Sequence, residues 1–334
     1  MGVSAFGIDL GSNNIKIYNA NNDTFFMGKN MIAIEGKETL FAYGDSAFSM
    51  YEKAPDNITV SFPVNASVIA DIKNMNTLIR YFIADLCKNN IKPADYYIAV
   101  PTDITEVEKR AFYDLIRDSN LKAKHIYVME QAVADGLGLG IDVKTSQGVL
   151  VVDVGYDTTE ISILSLGGIV LSRLIKMGGN KFDEAIKNAV RKEYNLFIGN
   201  KTAEKVKFAM HVMGAENKNA IIYGRDIVTG LPVEKAISTD LVFDSLKESF
   251  YVIIDNIKQV LERTPPELGA DIYRNGIYLT GGASQVEHLA EMIEEQTGLK
   301  VNLDDEPLGS VAKGLAAVIR EPKFHSLAYA LENK

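Results

Sequence analysis

Two stretches of this chain share one layout, and that repetition restricts the folds open to it. FGIDLGSNNIKI, from Phe6, and LVVDVGYDTTEISI, from Leu150, each read as an apolar strand, Asp-x-Gly, a polar turn and a second strand. Short runs of small and β-branched residues that end in turn residues have the pattern of buried strands. The first copy opens the chain and the second lies near its middle. Each half therefore starts with the same unit, and two similar domains facing each other are expected. Length agrees, because 334 residues exceed the roughly 250–300 that one hydrophobic core serves.

The rest of the chain alternates strands with helices. YYIAVP, HIYVME and GIYLTGG read as strands, and NMNTLIRYFIADLCKNN as a helix with Leu78, Tyr81, Phe82 and Leu86 near one face. Thr105 and Glu108 have the spacing of a capping box before KRAFYDLIR. QAVADGLGLG reads as a small-residue helix, and the more polar stretch from about 195 to 239 as an inserted subdomain. Such alternation predicts an α/β fold.

The paired turns suggest a chemistry. One Asp-x-Gly alone is an ordinary turn, since Asp and Gly are common there; two in register point to phosphate. Turns of small residues expose backbone N–H groups, which form a nest for anionic oxygens. Gly11 permits close approach while Ser12, Asn13 and Asn14 add donors, and Gly155, Thr158 and Thr159 offer the same surface in the second copy. Two nests across a cleft would grip a chain of phosphates. Asp9 and Asp153 would repel those phosphates unless a cation intervened, which implies a divalent metal. Mg2+ fits, because it keeps several waters and needs few carboxylates beside phosphate oxygens. A third cluster, LTGGAS at Leu279 to Ser284, lies between a strand and the helix VEHLAEMIEEQ, where a nucleotide's sugar and base would rest at a helix start. No GxxxxGK[ST] and no GxGxxG occurs.

Composition removes several other functions. A formal charge of −9 argues against nucleic acid, which selects a clustered basic face. The single cysteine, Cys87, sits in an apolar helical pattern and reads as packed core in a reducing compartment. The four histidines are scattered without metal-ligand spacing. With no signal peptide and no apolar run of membrane-spanning length, a cytoplasmic protein is expected.

The motifs GIDLGSNN, MEQAVADGLG, VVDVGYDTTEISI, LTGGAS and EPLGSVAKG, in that order, resemble the actin-like ATPase superfamily. Longer phrases narrow the match. FPVNASVIAD, VPTDITEVEKRA, GGNKFDEAI, YNLFIGNKTAEKVK and TPPELGADI resemble the bacterial actin MreB, and the similarity runs from about Ala5 to Ile319. It implies an actin-like (ribonuclease H-like) α/β fold of two domains, each with a large and a small subdomain, and a nucleotide cleft between them. Domain I would span 1–142, joined by 312–334, with its small subdomain at about 30–72. Domain II would span 143–311, with its small subdomain at about 180–244.

The same resemblance implies ATP and Mg2+ in the cleft. Asp9, Gly11, Ser12, Asn13 and Asn14 would form one phosphate loop, and Asp153, Gly155, Thr158 and Thr159 the other, with Asp9 and Asp153 meeting the metal through water. Glu204 and Lys207 would contact ribose and adenine, with Gly179, Asn180 and Lys181 nearby, and Gly281, Gly282 and Ala283 would back the adenosine. Catalysis would fall to Gln131, Asp153 and Asp9. Self-assembly into a homopolymer of double protofilaments is implied too, with a role in cell shape and wall synthesis and partners at the inner face of the membrane.

Three departures from the family pattern qualify this picture. Where the family reads Glu-Glu-Pro, this chain reads Glu130-Gln131-Ala132. Gln131 can orient a water but cannot take its proton, so slow hydrolysis is expected, with Glu130 pointing elsewhere from the strand end. Where the family has three glycines, this chain has Gly155, Tyr156 and Asp157. Tyrosine tolerates positive φ poorly, so a strained or altered turn is expected, and Asp157 adds negative charge near the phosphates. MGVSAFGIDLG leaves no room for the family's N-terminal amphipathic helix, and the loop KNNIKPADY is polar apart from Ile91, which argues against direct membrane binding. The tail from Pro322 is expected to dock on its own domain. A nucleotide-binding filament scaffold with little or no hydrolysis is the first alternative, and a sugar-kinase-type phosphotransferase the second.

Overall fold

The computed structural model of the chain describes residues 4–215 and 219–331. The first three and last three residues, which the expectations for the N-terminus and tail touch, lie outside it. In chain order the first half contains β1 (Ala5–Leu10), β2 (Asn14–Asn19), β3 (Thr24–Lys29), β4 (Ile32–Glu35), β5 (Thr39–Tyr43), α1 (Gly44–Met50), β6 (Ile58–Ser61), β7 (Val64–Asn65) and β8 (Val68–Ile69). It continues with α2 (Ile72–Leu86), β9 (Ala94–Val100), α3 (Glu106–Asp118), β10 (Ala123–Glu130) and α4 (Gln131–Gly138). The second half contains β11 (Val149–Val154), β12 (Thr159–Ser165), β13 (Gly168–Ile175), α5 (Gly179–Tyr194), β14 (Leu196–Phe197), α6 (Asn200–Ala215), β15 (Ala220–Asp226) and β16 (Pro232–Ile237). It ends with α7 (Thr239–Glu262), α8 (Pro266–Asn275), β17 (Ile277–Thr280), α9 (Leu289–Thr297), β18 (Val301–Leu303) and α10 (Ser310–Arg320).

One sheet is built twice. The strand orders β3-β2-β1-β9-β10 and β13-β12-β11-β17-β18 correspond strand for strand. In each, the first three strands run antiparallel and the last two lie parallel to the central one. Asp9 and Asp153 occupy the same place, the next-to-last residue of β1 and of β11.

Alternation along these strands decides where the aspartates point, because successive side chains face opposite sides of a sheet. Leu150, Val152 and Val154 enter a core with α5 and α7 residues such as Phe182 and Phe250. Val149 and Val151 face the opposite way, into a core with α4 and α10 residues such as Val133 and Val311. Asp153 shares their parity and so faces α4 and α10. In β1, Phe6 and Ile8 join an outer core with α2 and α3, while Gly7 lies against Leu315 of α10, which puts Asp9 on the same inner side.

The two inner helices cross with no room for side chains. A Cβ on Gly314 would lie 1.8 Å from the Ala134 carbonyl oxygen, and one on Gly138 would lie 1.9 Å from that of Ser310. This contact draws α10, late in the chain, back onto the first half, where it also packs on β1, β2 and β9.

Each half carries a smaller sheet as well. Order β5-β4-β6 belongs with α1 in the first half, and order β14-β15-β16 lies beside α6 in the second. The stretch from 25 to 71, weakly patterned in sequence, thus holds six short strands and a helix.

The capping box forms: Thr105 Oγ1 accepts from Glu108 N at 3.2 Å, and Glu108 Oε2 accepts from Thr105 N at 2.8 Å. Two expectations change. Tyr81 is exposed, since the buried face of α2 is Met75, Leu78, Ile79, Phe82 and Ile83. The glycines of LTGGAS lead into a 3-10 turn at Gly282–Gln285 rather than into the helix, which starts only at Leu289. The tail docks as expected, Tyr329 exchanging backbone hydrogen bonds with Val128 at 2.8 and 2.9 Å. Among the described residues no helix is long and apolar enough to cross a membrane.

Candidate functional site

Between the two sheets lies a cavity of about 670 Å³ whose walls include both Asp-x-Gly turns. From the first come Asp9, Gly11, Ser12, Asn13 and Asn14; from the second, Asp153, Gly155, Tyr156, Asp157 and Thr158. Gln131, Gly179, Glu204, Lys207, Gly281, Gly282 and Ala283 also line it. Residues from Asp9 to Val311 are thereby folded onto one site.

Three predicted residues stand apart from this lining. Thr159 is fully buried with its hydroxyl donating to the Met177 carbonyl at 2.7 Å, because β12 alternation turns it away from Thr158 and Glu160. Lys181 pairs with Glu184 in solvent at 2.8 Å. Asn180 stays close without lining the cavity, its side-chain amide reaching Asp157 Oδ1 at 3.3 Å. The backbone N–H groups of Gly179 and Asn180 are also committed, to the carbonyls of Gly155 and Tyr156 at 3.0 and 2.7 Å.

The turn at Tyr156 corrects the expected strain. Neither Gly155 nor Tyr156 has positive φ. Gly155 N–H bonds to the Thr158 carbonyl at 2.9 Å, a closure that needs no left-handed residue. Tyrosine is therefore sterically acceptable there, and burial pushes its hydroxyl well above the usual range.

Register supplies two residues that motif reasoning missed. Opposite Asp9 on β2 stands Lys16, and opposite Asp153 on β12 stands Glu160. Lys16 Nζ lies 2.8 Å from Asp9 Oδ2. Burial opposes the charge on Lys16, but Asp9, aided by Asp153 and Asp135, outweighs it and holds the ammonium above its usual range. The signal was present in sequence as a charged residue between Ile15 and Ile17.

The layer is rich in carboxylates. Asp9, Asp135, Asp153 and Glu160 are all buried. Burial pushes Asp153 up to about 6, against the pull of Lys16 and of Gln131 Nε2, which donates to its Oδ2 at 2.7 Å. Burial pushes Glu160 up to about 8 despite hydrogen bonds from the backbone and hydroxyl of Thr102. Asp135 is raised well above the usual carboxylate range by burial and then by Asp153; its Oδ1 accepts from Ser310, and its Oδ2 has no partner. Such an excess favours a cation in the cleft. Among the described residues no three His, Cys, Asp or Glu side chains converge to cage one; Asp9 and Asp153 would hold an ion that keeps water or a bound anion as its other ligands, a donor set that suits Mg2+.

At the far end Lys207 is buried with its Nζ 2.8 Å from Asp183 Oδ1 and 3.0 Å from the Gly179 carbonyl. Burial pushes Asp183 up to about 6, against Lys207. Gly281, at φ 88°, leaves space that a Cβ would fill 2.0 Å from Asp153 Oδ1. Glu130 points away from the cavity, as predicted, taking Lys109 at 3.0 Å and the Tyr329 hydroxyl at 2.9 Å.

Two matched sheets, each delivering an aspartate hairpin to a shared cleft, define an actin-like two-domain protein. Solved structures agree. MreB5 of Spiroplasma citri, in its crystal structures bound to ADP and to AMPPNP, superposes with a TM-score of 0.88 at 32% identity, covering 95% of this chain and 96% of that one. The MamK double helical filament shares the fold at 21% identity with a TM-score of 0.79, covering 95% and 98%. By sequence, the cell shape-determining protein Mbl of Bacillus subtilis (strain 168) is 35% identical over 317 residues, 94% of this chain and 95% of that protein. The cell shape-determining protein MreB of Escherichia coli (strain K12) is 32% identical over 316 residues, 92% and 90%. The MreB/Mbl protein family pattern matches residues 3–326. The chain belongs to the MreB/Mbl family of actin-like cytoskeletal proteins.

Proposed function

We propose that the cleft binds ATP with Mg2+ and that binding drives assembly of the chain into a homopolymer of paired protofilaments, with slow hydrolysis. The observation that carries this is the pair of buried aspartates, Asp9 and Asp153, presented by equivalent hairpins across one cavity. Support comes from the 32% identical MreB5 crystallised with ADP and AMPPNP and from relatives that determine cell shape. In this reading the chain divides into domain I, 1–142 with 312–334, and domain II, 143–311. Cell-shape and wall-synthesis machinery, met at the inner face of the membrane, are the partners in this scheme.

Roles follow from position. The hairpin turns would hold phosphates, Asp9 and Asp153 the hydrated Mg2+, and Lys16 the nearest phosphate oxygen. Mg2+ would neutralise phosphate charge as it develops. Glu204 and Lys207 would meet the ribose and adenine, with Gly281, Gly282 and Ala283 behind them. Gln131 would aim a water without accepting its proton.

A scaffold that holds nucleotide with little turnover is the second reading. It is favoured by the hydrogen bond that occupies the Gln131 amide at Asp153. Calorimetric titration with ATP, with and without Mg2+, tests the site. Asp153→Ala is expected to abolish the metal-dependent part of binding; an unchanged affinity would refute the assignment.

A further inference from the structure

We propose that the tip of the β7–β8 hairpin is a clasp on the second Asp-x-Gly turn, seated by Asp157, and that it sets how long nucleotide stays in the cleft. The proposal deepens the function above and rests on it for the ligand alone. The backbone of this tip is strained. Ala66 and Ser67, the two residues linking β7 to β8, have φ of 48° and 63°. A two-residue hairpin with both residues left-handed usually takes Asn-Gly, because a Cβ disfavours that conformation. Alanine and serine hold it only where the surroundings enforce it.

What enforces it lies across the cleft. The Ala66 N–H donates to Asp157 Oδ2 at 3.0 Å, and Ser67 Oγ lies 2.5 Å from Thr158 Oγ1. Both left-handed residues thus meet the turn that would hold phosphate. Asn180 steadies the other Asp157 oxygen. Beside them the Tyr156 ring tilts against Phe62, centroids 6.1 Å apart, and Phe62 stands edge-on to Tyr51.

Ser67, Asp157 and Thr158 line the cavity, so the seated tip is part of its wall. Lifting the tip breaks a charge-assisted hydrogen bond but releases the strained turn. Strain favours the open state and Asp157 the closed one, which keeps the two close enough in energy for a gate. The carboxylate of Asp157 thus has a role at the tip.

Two measurements test this on the full chain: hydrogen exchange at the Ala66 amide without nucleotide, and release of N-methylanthraniloyl-ADP chased by unlabelled ADP. Asp157→Gly is expected to remove the protection of Ala66 and to speed release roughly tenfold, the usual scale for losing a hydrogen bond to a charged group. Asp157→Asn, which keeps an acceptor without its charge, is expected between the two. Ala66→Gly relaxes the turn and keeps the N–H, so it is expected to raise protection and slow release. Unchanged exchange and release in Asp157→Gly would overturn the clasp. Wild-type chain that fails to bind the labelled ADP would overturn the nucleotide assignment, and the exchange measurement would then decide the clasp by itself.

Discussion

Replacing Lys16 with methionine removes an ammonium from a layer of four buried carboxylates and leaves the aliphatic stem to pack. Lys16 and Asp9 are 2.8 Å apart, with side chains 18% and 6% exposed. Deleting one partner of a buried ion pair costs about 3–5 kcal/mol, because the other is left uncompensated. The partial exposure of Lys16 places this case near the lower end, at about 3 kcal/mol. Against a typical stability of ~5–15 kcal/mol, that is a plain shift in a urea unfolding curve followed by circular dichroism.

The pH dependence is more diagnostic than the size. Lys16 opposes the upward push on Asp153, which already stands at about 6; without it Asp153 rises further. A carboxyl raised on folding adds stability below its unfolded pKa, and that stability is lost as pH climbs through the folded value. Lys16→Met should therefore lose most at pH 8 and recover toward pH 5, and Mg2+ should restore part of the loss at pH 8. A variant as stable as the wild type at pH 8, or one whose deficit does not change with pH, would refute the counter-ion role of Lys16.

Other outcomes follow from the same site. With Asp153 and Asp183 at about 6 and Glu160 at about 8, the nucleotide-free wild type should melt at a higher temperature at pH 6 than at pH 8; the reverse order would contradict those shifts. Lys207→Met strands Asp183 and should cost about 3–5 kcal/mol in denaturant unfolding, and adding Asp183→Asn should recover part of it. Gly281→Ala should displace Asp153 and remove Mg2+-dependent ATP binding by calorimetry. Gly298→Ala, at φ 67° with nothing within 4 Å of the added Cβ, should keep that binding and cost only about 1 kcal/mol. Gln131→Ala should cut phosphate release by roughly 100-fold at saturating ATP, the lower end of the range for a positioned proton-transfer group.

The repeated hairpins were legible because strand alternation and turn chemistry are local properties. The same alternation places Asp9 and Asp153 on the inner faces of their sheets. Lys16 and Glu160 escaped notice because their meaning depends on register, which a motif does not carry; only the pairing sets them opposite the aspartates. Thr159 faces away from the cavity because it pairs with Val154, whose side chain has the opposite parity to that of Asp153. The expectation of strain at Tyr156 rested on glycine preference alone, whereas the left-handed residues that meet this turn are Ala66 and Ser67, in a stretch with little pattern. Asp183 and Lys207 are far apart in sequence, so their buried pairing required the packing of α5 on α6. The helix after LTGGAS began late because a 3-10 turn intervenes.

Nucleotide-gated assembly is tested most directly by sedimenting the purified chain with Mg2+ and ATP, ADP or no nucleotide while following phosphate release in the same samples. Pelleting that requires ATP and Mg2+, fails in Asp153→Ala, and comes with slow phosphate release is the expected result. A chain that binds ATP and Mg2+ yet stays in the supernatant at every concentration, or that pellets equally without nucleotide, would contradict the proposed function.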